Sequence, residues 1–383
     1  MVYVKECVSY NREVVLECIS RIFEQSKVLE GVAGLNIAVK PNLVAKKAPE
    51  TAATTHPDVV WAVCKLLKDA GANVVIAESP GGFYDVNNLK SLYRICGIEK
   101  AAKDSGAELN FDTSETEVSN PNGKFLKKLK ILTPLAKADR IINIAKLKTH
   151  GMMTYTGAVK NMFGSIAGLE KTEYHFQLSD YDDFADCIID IFLANSPVFN
   201  IIDAVVGMHK DGPTAGEPIE LNTILAGDNA FELDLAGATL INAEYEQIPV
   251  FRQAKKRNLM HFEYGKLDVL GDELKINKNF IVKYNTDAKR LHFANGVLGQ
   301  ILSTAMRPRP VFDKKKCRAC GECVKCCPAK VIEIIGKGNK KYAKVDINGC
   351  IRCYCCQELC LFKAVKIKRP LLNKIVIKRN EKK

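Results

Sequence analysis

The residues whose types and spacing invite chemistry begin with the cysteines: ten of the 15 lie between Cys317 and Cys360. Cys317, Cys320, Cys323 and Cys327 follow the spacing C-x2-C-x2-C-x3-C, and Cys350, Cys353, Cys356 and Cys360 repeat it. Three thiolates within one short loop reach three irons of a cubane, while the fourth leaves on the next turn, so two such runs predict two iron–sulfur clusters. Zinc is the competing reading, because four-cysteine zinc sites also use C-x2-C pairs; four evenly spaced cysteines followed by a second such set favour iron–sulfur. Cys326 and Cys355 are additional thiols at non-ligand positions. Cys7, Cys18, Cys64, Cys96 and Cys187 are scattered through apolar or amphipathic stretches, where a free thiol packs as a small hydrophobe. This is the distribution of metal ligands, not of a secreted disulfide scaffold.

A second chemical group lies upstream and needs elements to position it. Asn36 to Lys40, Asn73 to Glu78, Arg140 to Ala145, Asn200 to Val205 and Thr223 to Ala226 read as strands, and Arg12 to Leu29, Pro57 to Asp69, Asn88 to Ser105, Asp182 to Asn195 and Ala230 to Asn242 as helices. The alternation predicts an α/β fold: a largely parallel, helix-covered sheet, Rossmann-like and three-layered. Ligands of such sheets bind beyond the carboxyl ends of the strands. Each predicted strand ends in a polar or glycine-rich cluster: Lys40-Pro-Asn42; Glu78-Ser-Pro-Gly81-Gly82; Lys146-Leu-Lys148-Thr-His150; Asp203 with His209-Lys-Asp-Gly; and Gly227-Asp228. The segment from Lys146 to His175 is the densest, with Lys160, Asn161 and four glycines, a mixture that suits neither a long helix nor a strand. Glycines let the backbone approach an anion and lysines supply charge, so an anionic substrate or cofactor is expected there. No GxGxxG or P-loop follows the first strand, which excludes the usual dinucleotide and nucleoside triphosphate signatures.

Charge separates the two groups. Residues from Val311 onward carry 20 Lys and Arg against 6 Asp and Glu, and residues 1–310 carry 36 against 38. Part of the C-terminal excess compensates anionic clusters; the remainder favours an acidic electron-transfer partner of ferredoxin or flavodoxin type. Nucleic acid is disfavoured, since the basic residues interleave with cysteines and not with stacking aromatics. The basic, apolar-spaced tail is a weak case for a membrane surface. With no apolar stretch of spanning length and no signal-like N-terminus, a cytoplasmic location is expected. Arg307-Pro-Arg-Pro310 reads as a linker, giving an α/β domain over 1–304, a linker over 305–310, a cysteine-rich module over 311–370 and a basic tail over 371–383. Within the module, Val331-Ile-Glu-Ile and Tyr342-Ala-Lys-Val-Asp read as a hairpin.

The cysteine run followed by Pro328 resembles bacterial two-cluster ferredoxins, small α+β domains in which the fourth cysteine is exchanged between clusters. The resemblance implies one [4Fe–4S] cluster on Cys317, Cys320, Cys323 and Cys360, and a second on Cys350, Cys353, Cys356 and Cys327. Leu361 stands where those proteins carry a second proline. With Lys40-Pro-Asn42, Glu78-Ser-Pro-Gly-Gly82, Lys146-Leu-Lys-Thr-His150, Gly157-Ala-Val-Lys160-Asn161-Met-Phe-Gly164 and Asp203-Ala-Val-Val-Gly in this order, residues 1 to about 300 resemble the family known as domain of unknown function 362. That resemblance implies an iron–sulfur protein of anaerobic or archaeal-type metabolism, with no established substrate. His150, Gly157 to Lys160, Gly164, Gly168, Thr172 and His175 are also similar to the motif order of nickel-pincer lactate racemases. There a lysine tethers the cofactor and histidines handle protons; Lys160 would match the lysine and His175 a histidine, although the glycines before the lysine differ.

Two functions follow as expectations. In the first, a redox enzyme passes electrons between the clusters and an anion held by Lys40, Asn42, Lys146, Lys148, Lys160 and Asn161. His150 or His175 then serves as general acid or base, and Glu78, Asp203 and Asp228 bind a cation or orient the lysines. A further organic or metal cofactor in the α/β domain fits this reading. In the second, the chain is an electron-delivery or metallocofactor assembly factor acting on a partner protein.

Overall fold

The computed structural model describes residues 1–285 and 307–369. Its centre is a nine-stranded sheet. In chain order the strands are β1 (Val2–Glu6), β2 (Asn36–Pro41), β3 (Asn73–Ile76), β4 (Glu108–Leu109), then, after the separate ribbon β5 (Glu115–Ser119) and β6 (Lys128–Leu132), β7 (Arg140–His150), β8 (Thr154–Thr156), β9 (Phe199–His209), β10 (Glu217–Gly227) and β11 (Val269–Gly271). The spatial order is β11-β1-β10-β9-β7-β2-β3-β4, with β8 paired to β7. The run β9-β7-β2-β3-β4 is parallel throughout, and β10 runs against both its neighbours.

Both faces of this sheet are covered, as the strand alternation requires. Ile37 and Val39 of β2, with Ile142 and Ile144 of β7, join the core under α1 (Arg12–Ser26) and α2 (Pro57–Asp69). Ala38, Ala145 and Leu147 face the opposite core, which holds α8 (Tyr181–Asn195) and α9 (Ala230–Leu240). In α1 the buried residues Val15, Cys18, Ile19, Ile22 and Phe23 recur at the spacing of one helical face, and Asn11 caps its first turn by accepting from the Glu13 N–H at 2.9 Å. All five scattered cysteines are buried.

Three expectations are corrected. The helix expected over Asn88 to Ser105 is two, α3 (Val86–Ile95) and α4 (Ile98–Ser105), because the chain turns through Gly97 at φ +75°. Lys146 to His150 are not loop but the last residues of β7, and the segment beyond them is broken into short pieces, β8 and the helices Ala158–Asn161 and Glu170–Gln177. Arg307 to Pro310 is not an unstructured linker: Arg309–Phe312 forms a strand paired antiparallel with Val365–Lys368. In a two-stranded ribbon every strand has a free edge, so Pro310 costs no ladder bond that a neighbour would need. The expected hairpin is present as Ile332–Ile335 paired with Tyr342–Val345. The tail 371–383 lies outside the described residues. Among the described residues no helix is long and apolar enough to cross a membrane.

A lysine-lined pocket under the cysteine segment

The site grows from the carboxyl end of β7. Lys146, Lys148 and His150 alternate with Leu147 and Thr149, so they share one face of the strand, yet they separate into two environments. Lys146 donates to Asp203 Oδ2 at 2.9 Å and to the Tyr10 hydroxyl at 2.7 Å. Tyr10 in turn donates to Asp203 Oδ1 at 2.8 Å, and the His56 ring stacks on Tyr10 at 3.6 Å. Burial lowers the Lys146 pKa against the opposing pull of Asp203. This node is closed, and neither Lys146 nor Asp203 lines the pocket.

Lys148 and His150 instead open onto a cavity of about 90 Å3. Lys148 donates to Asn42 Oδ1 at 2.7 Å and to the Ala53 carbonyl at 2.5 Å, which uses two of its three N–H groups. Asn42 is held by a chain of amides: it donates to Asn161 at 2.8 Å, Asn161 to Asn143 at 2.7 Å, and Asn143 to Asn200 at 2.8 Å. Burial, followed by the charge of Lys160, pushes the Lys148 pKa down to about 7. His150 Nδ1 accepts the N–H groups of Met152 and Met153 at 3.0 and 3.1 Å, so its proton sits on Nε2, 3.0 Å from Glu358. Burial and Lys160 push the His150 pKa down to about 4 and leave the ring neutral.

Lys160 arrives on the short helix Ala158–Asn161, whose N-terminus is pinned by Asp234 accepting from the Ala158 and Val159 N–H groups at 2.6 and 3.1 Å. Its amine lies 5.6 Å from the Phe163 ring centre and, among the described residues, has no hydrogen-bond or ion-pair partner. Burial lowers its pKa, opposed by Glu358. His175, on the helix Glu170–Gln177, stacks on Phe184 at 4.1 Å and leaves Nδ1 buried without a hydrogen-bond partner among the described residues. Burial pushes its pKa down to about 3.

The floor is made by the end of β3. Glu78 holds Lys40 at 2.8 Å in a fully buried pair, and Lys171 donates to Ser79 O, Ser79 Oγ and Pro80 O at 2.6, 2.8 and 3.0 Å. Gly164 lies against that pair so closely that a Cβ there would stand 2.1 Å from Glu78 Oε1, which leaves only glycine. Gly81 and Gly82 complete this side; a Cβ on Gly81 would meet Leu359 at 2.8 Å.

Leu359 belongs to the cysteine segment, which forms the roof. Cys355, Glu358 and Leu359 line the cavity from the short helix Cys355–Glu358 and the residue after it. The helix is fixed to the α/β domain by Thr214 donating to the Glu358 carbonyl at 2.7 Å and by Gln357 donating to the Asp211 carbonyl at 2.8 Å. Tyr354 and Ile367 join the large core of the domain.

The structure thus brings together Asn42, Glu78, Gly81, Gly82, Lys148, His150, Lys160, Asn161 and His175, with Lys40 behind Glu78. Lys146 and Asp203 form their own node nearby. Asp228 is elsewhere: β10 is antiparallel, so its end lies at the opposite edge of the sheet, where Asp228 meets the Met1 amine at 3.0 Å. The charged groups Lys171 and Glu358 went unpredicted. Lys171 sits inside the polar segment already singled out, and Glu358 is the lone carboxylate of the second cysteine run, so each left a signal in the sequence.

The cysteines group as their neighbours reveal. Burial and the surrounding Cys320, Cys317 and Cys360 thiols push Cys323 up to about 12, and these four line one apolar cavity with Phe312, Ile334 and Val365. Two of them accept backbone N–H groups: Cys317 from Ala343 at 3.3 Å and Cys360 from Ala364 at 3.2 Å. Cys350 is raised by burial and by its neighbours Cys353 and Cys327, and Cys356 by burial, Cys353, Cys326 and Cys350. Two sets of thiols with apolar walls, one also receiving N–H donors, suit anionic sulfur ligands. Among the described residues no group of three or more His, Cys, Asp or Glu is placed so as to hold a metal ion.

Comparison with known proteins places the larger part of the chain. A thylakoid-associated protein of Synechocystis sp. is 26% identical over 232 residues, 59% of this chain and 69% of that protein. Among solved structures, the lactate racemase apoprotein from Thermoanaerobacterium thermosaccharolyticum aligns with a TM-score of 0.38 at 16% identity, over 62% of this chain and 55% of that one; this chain therefore spans little more than half of that protein's length. A family described as Domain of unknown function (DUF362) matches residues 37–239, more than half of the chain, and the chain belongs to it.

Proposed function

We propose that this protein is a ferredoxin-fused redox enzyme, in which electrons pass between two [4Fe–4S] clusters and a small anion bound in the lysine-lined pocket. Cys317, Cys320, Cys323 and Cys360 would hold one cluster, and Cys350, Cys353, Cys356 and Cys327 the other. When bound, such clusters supply one-electron transfer. The observation that carries the reading is the roof: Cys355 and Glu358 line the same cavity as Lys148, Lys160 and Lys171, within two residues of Cys353, Cys356 and Cys360. A carrier whose clusters merely wired two partners together would need no cationic cavity beneath its cysteine loop.

In this reading Lys160 binds the anion directly, because its amine has no hydrogen-bond or ion-pair partner among the described residues. Lys148 contributes its remaining N–H and Lys171 its charge. His150, neutral, with Nδ1 accepting two backbone N–H groups and Nε2 3.0 Å from Glu358, has no free nitrogen with which to trade a proton and acts as a positioning residue, which leaves proton handling to His175. His175 presents a buried nitrogen to the same cavity. Cys320, Leu361 and Phe362 are exposed, as are Lys314, Lys315 and Lys316, and such a basic module suits an acidic electron-transfer partner.

The test is anaerobic. Full-length protein with reconstituted, reduced clusters is mixed with a panel of small organic anions while the visible absorption of the clusters is followed. The reading predicts catalytic reoxidation by at least one of them, abolished in Lys160→Gln while the cluster absorption persists. Absence of iron–sulfur absorption, or reoxidation indifferent to Lys160, overturns it. A stable complex with another protein and no anion-dependent oxidation would instead mark an assembly or delivery factor.

A further inference from the structure

The pocket's shape and charge say more about its occupant than that it is anionic. The cavity of about 90 Å3 takes several waters, so it admits a ligand of a few carbons. Lys148, Lys160 and Lys171 line it and Lys40 stands behind Glu78, so four ammonium groups stand against the two carboxylates Glu78 and Glu358. With all four protonated, as a bound dianion would make them, the excess is two positive charges. The imidazoles of His150 and His175 are neutral and add none. The apolar part of the lining is Val44, Phe163, Pro213 and Leu359. Inorganic phosphate matches the charge but offers nothing to that apolar lining; a monocarboxylate leaves one positive charge buried without a counterion.

From this juxtaposition we infer that the pocket binds a small aliphatic dicarboxylate of three or four carbons, with one carboxylate on Lys160 and Lys148 and its carbon chain against Phe163 and Leu359. The inference rests on the pocket being the ligand site of the proposed enzyme, but it concerns binding and not electron transfer. A physical corollary is proton uptake. Lys148 and Lys171 are pushed down to about 7 by burial first, so near neutral pH they are partly deprotonated, and a dianion beside them raises both. The other titratable groups facing them are Lys40, Glu78, Lys160, Glu358, the two imidazoles and the Cys355 thiol.

Isothermal titration of the anaerobically reconstituted full chain with malonate and succinate, and with propionate, butyrate and inorganic phosphate as controls, tests this. Run at pH 7.5 in two buffers of different ionisation enthalpy, it reads affinity and proton uptake together. The expected result is a dicarboxylate bound about tenfold or more tighter than the matching monocarboxylate and than phosphate, with net proton uptake. Lys160→Gln should weaken it about tenfold or more. Lys65→Gln, on the exposed face of α2, should leave it unchanged. Because the proton uptake is read on the unaltered protein, the test stands even if a variant misfolds. Equal affinity for mono- and dicarboxylates, tighter phosphate binding, or no binding to protein whose clusters are intact overturns the inference. Dicarboxylate binding without any cluster reoxidation would instead sink the redox reading and leave this one standing.

Discussion

Lys146 and Lys148 are two residues apart on one face of one strand, and they meet opposite fates. Lys146 is closed off by Asp203 and Tyr10, with His56 stacked above, and every polar group in that node has a partner. Lys148 also gives two bonds, but to an amide and a carbonyl and not to a carboxylate, and it lines a cavity with Lys160 and His175, whose amine and Nδ1 have no hydrogen-bond partner among the described residues. A buried cation that is fully answered is architecture; one left partly unanswered is a binding device. The lysine-rich segment therefore holds two machines that look alike in the sequence.

If that division is right, the two regions respond differently to substitution. Removing the carboxylate of the closed node, Asp203→Ala, strands the buried Lys146 charge and should cost about 3–5 kcal/mol in chemical denaturation, whatever ligand is present. Gly164→Ala forces a methyl against the Lys40–Glu78 pair and should cost about 1–3 kcal/mol, with ligand affinity falling as Glu78 shifts. Lys160→Gln should reverse the pattern: stability within about 1 kcal/mol of the parent, because no partner is lost, and turnover gone. If Lys160→Gln destabilised as much as Asp203→Ala, the division between the two lysines would fail.

The pH response sharpens the comparison. His150 and His175 have pKa values near 4 and 3 in the fold, below the ordinary 6.5 of an unfolded histidine. The unfolded chain then binds more protons between those limits, so stability falls as pH drops from 6.5 toward 4. Melting temperatures between pH 7 and pH 5.5 should decline, and the decline should be shallower in His175→Gln. The smallest effect belongs to the residue that the sheet topology removes from the site: Asp228→Asn should cost less than about 1 kcal/mol, since its bridge to the Met1 amine is exposed, and should leave ligand binding untouched.

Asp228 also marks where sequence reasoning stopped. Strands at 36–41, 73–76, 140–150, 199–209 and 217–227 were legible because apolar β-branched runs ended in turn residues. Their polarity was not, since an antiparallel β10 among parallel neighbours depends on pairings far apart in the chain, and that reversal alone moves Asp228 across the molecule. Likewise Lys40, Asn42, Glu78 and Lys160 were recoverable from where they fall along the chain, whereas the amide chain through Asn143 and Asn200 and the pinning of Lys160's helix by Asp234 were not. The cysteine spacing was plain. That the segment folds back so that Glu358 roofs His150 was not, because it rests on contacts such as Leu359 against Gly81, between residues far apart in the chain.

The central proposal is that Cys350, Cys353, Cys356 and Cys327 would hold a cluster beside the cationic pocket, whose roof carries Cys355 between Cys353 and Cys356, while Cys317, Cys320 and Cys323 of the other set lie outside its lining. A redox titration followed by electron paramagnetic resonance, on anaerobic full-length protein and on Lys160→Gln, tests both halves together. The account predicts two reduced [4Fe–4S] signals, only one of which moves to lower potential when the nearby positive charge is removed. No cubane signal, or two signals that ignore the substitution, would contradict it.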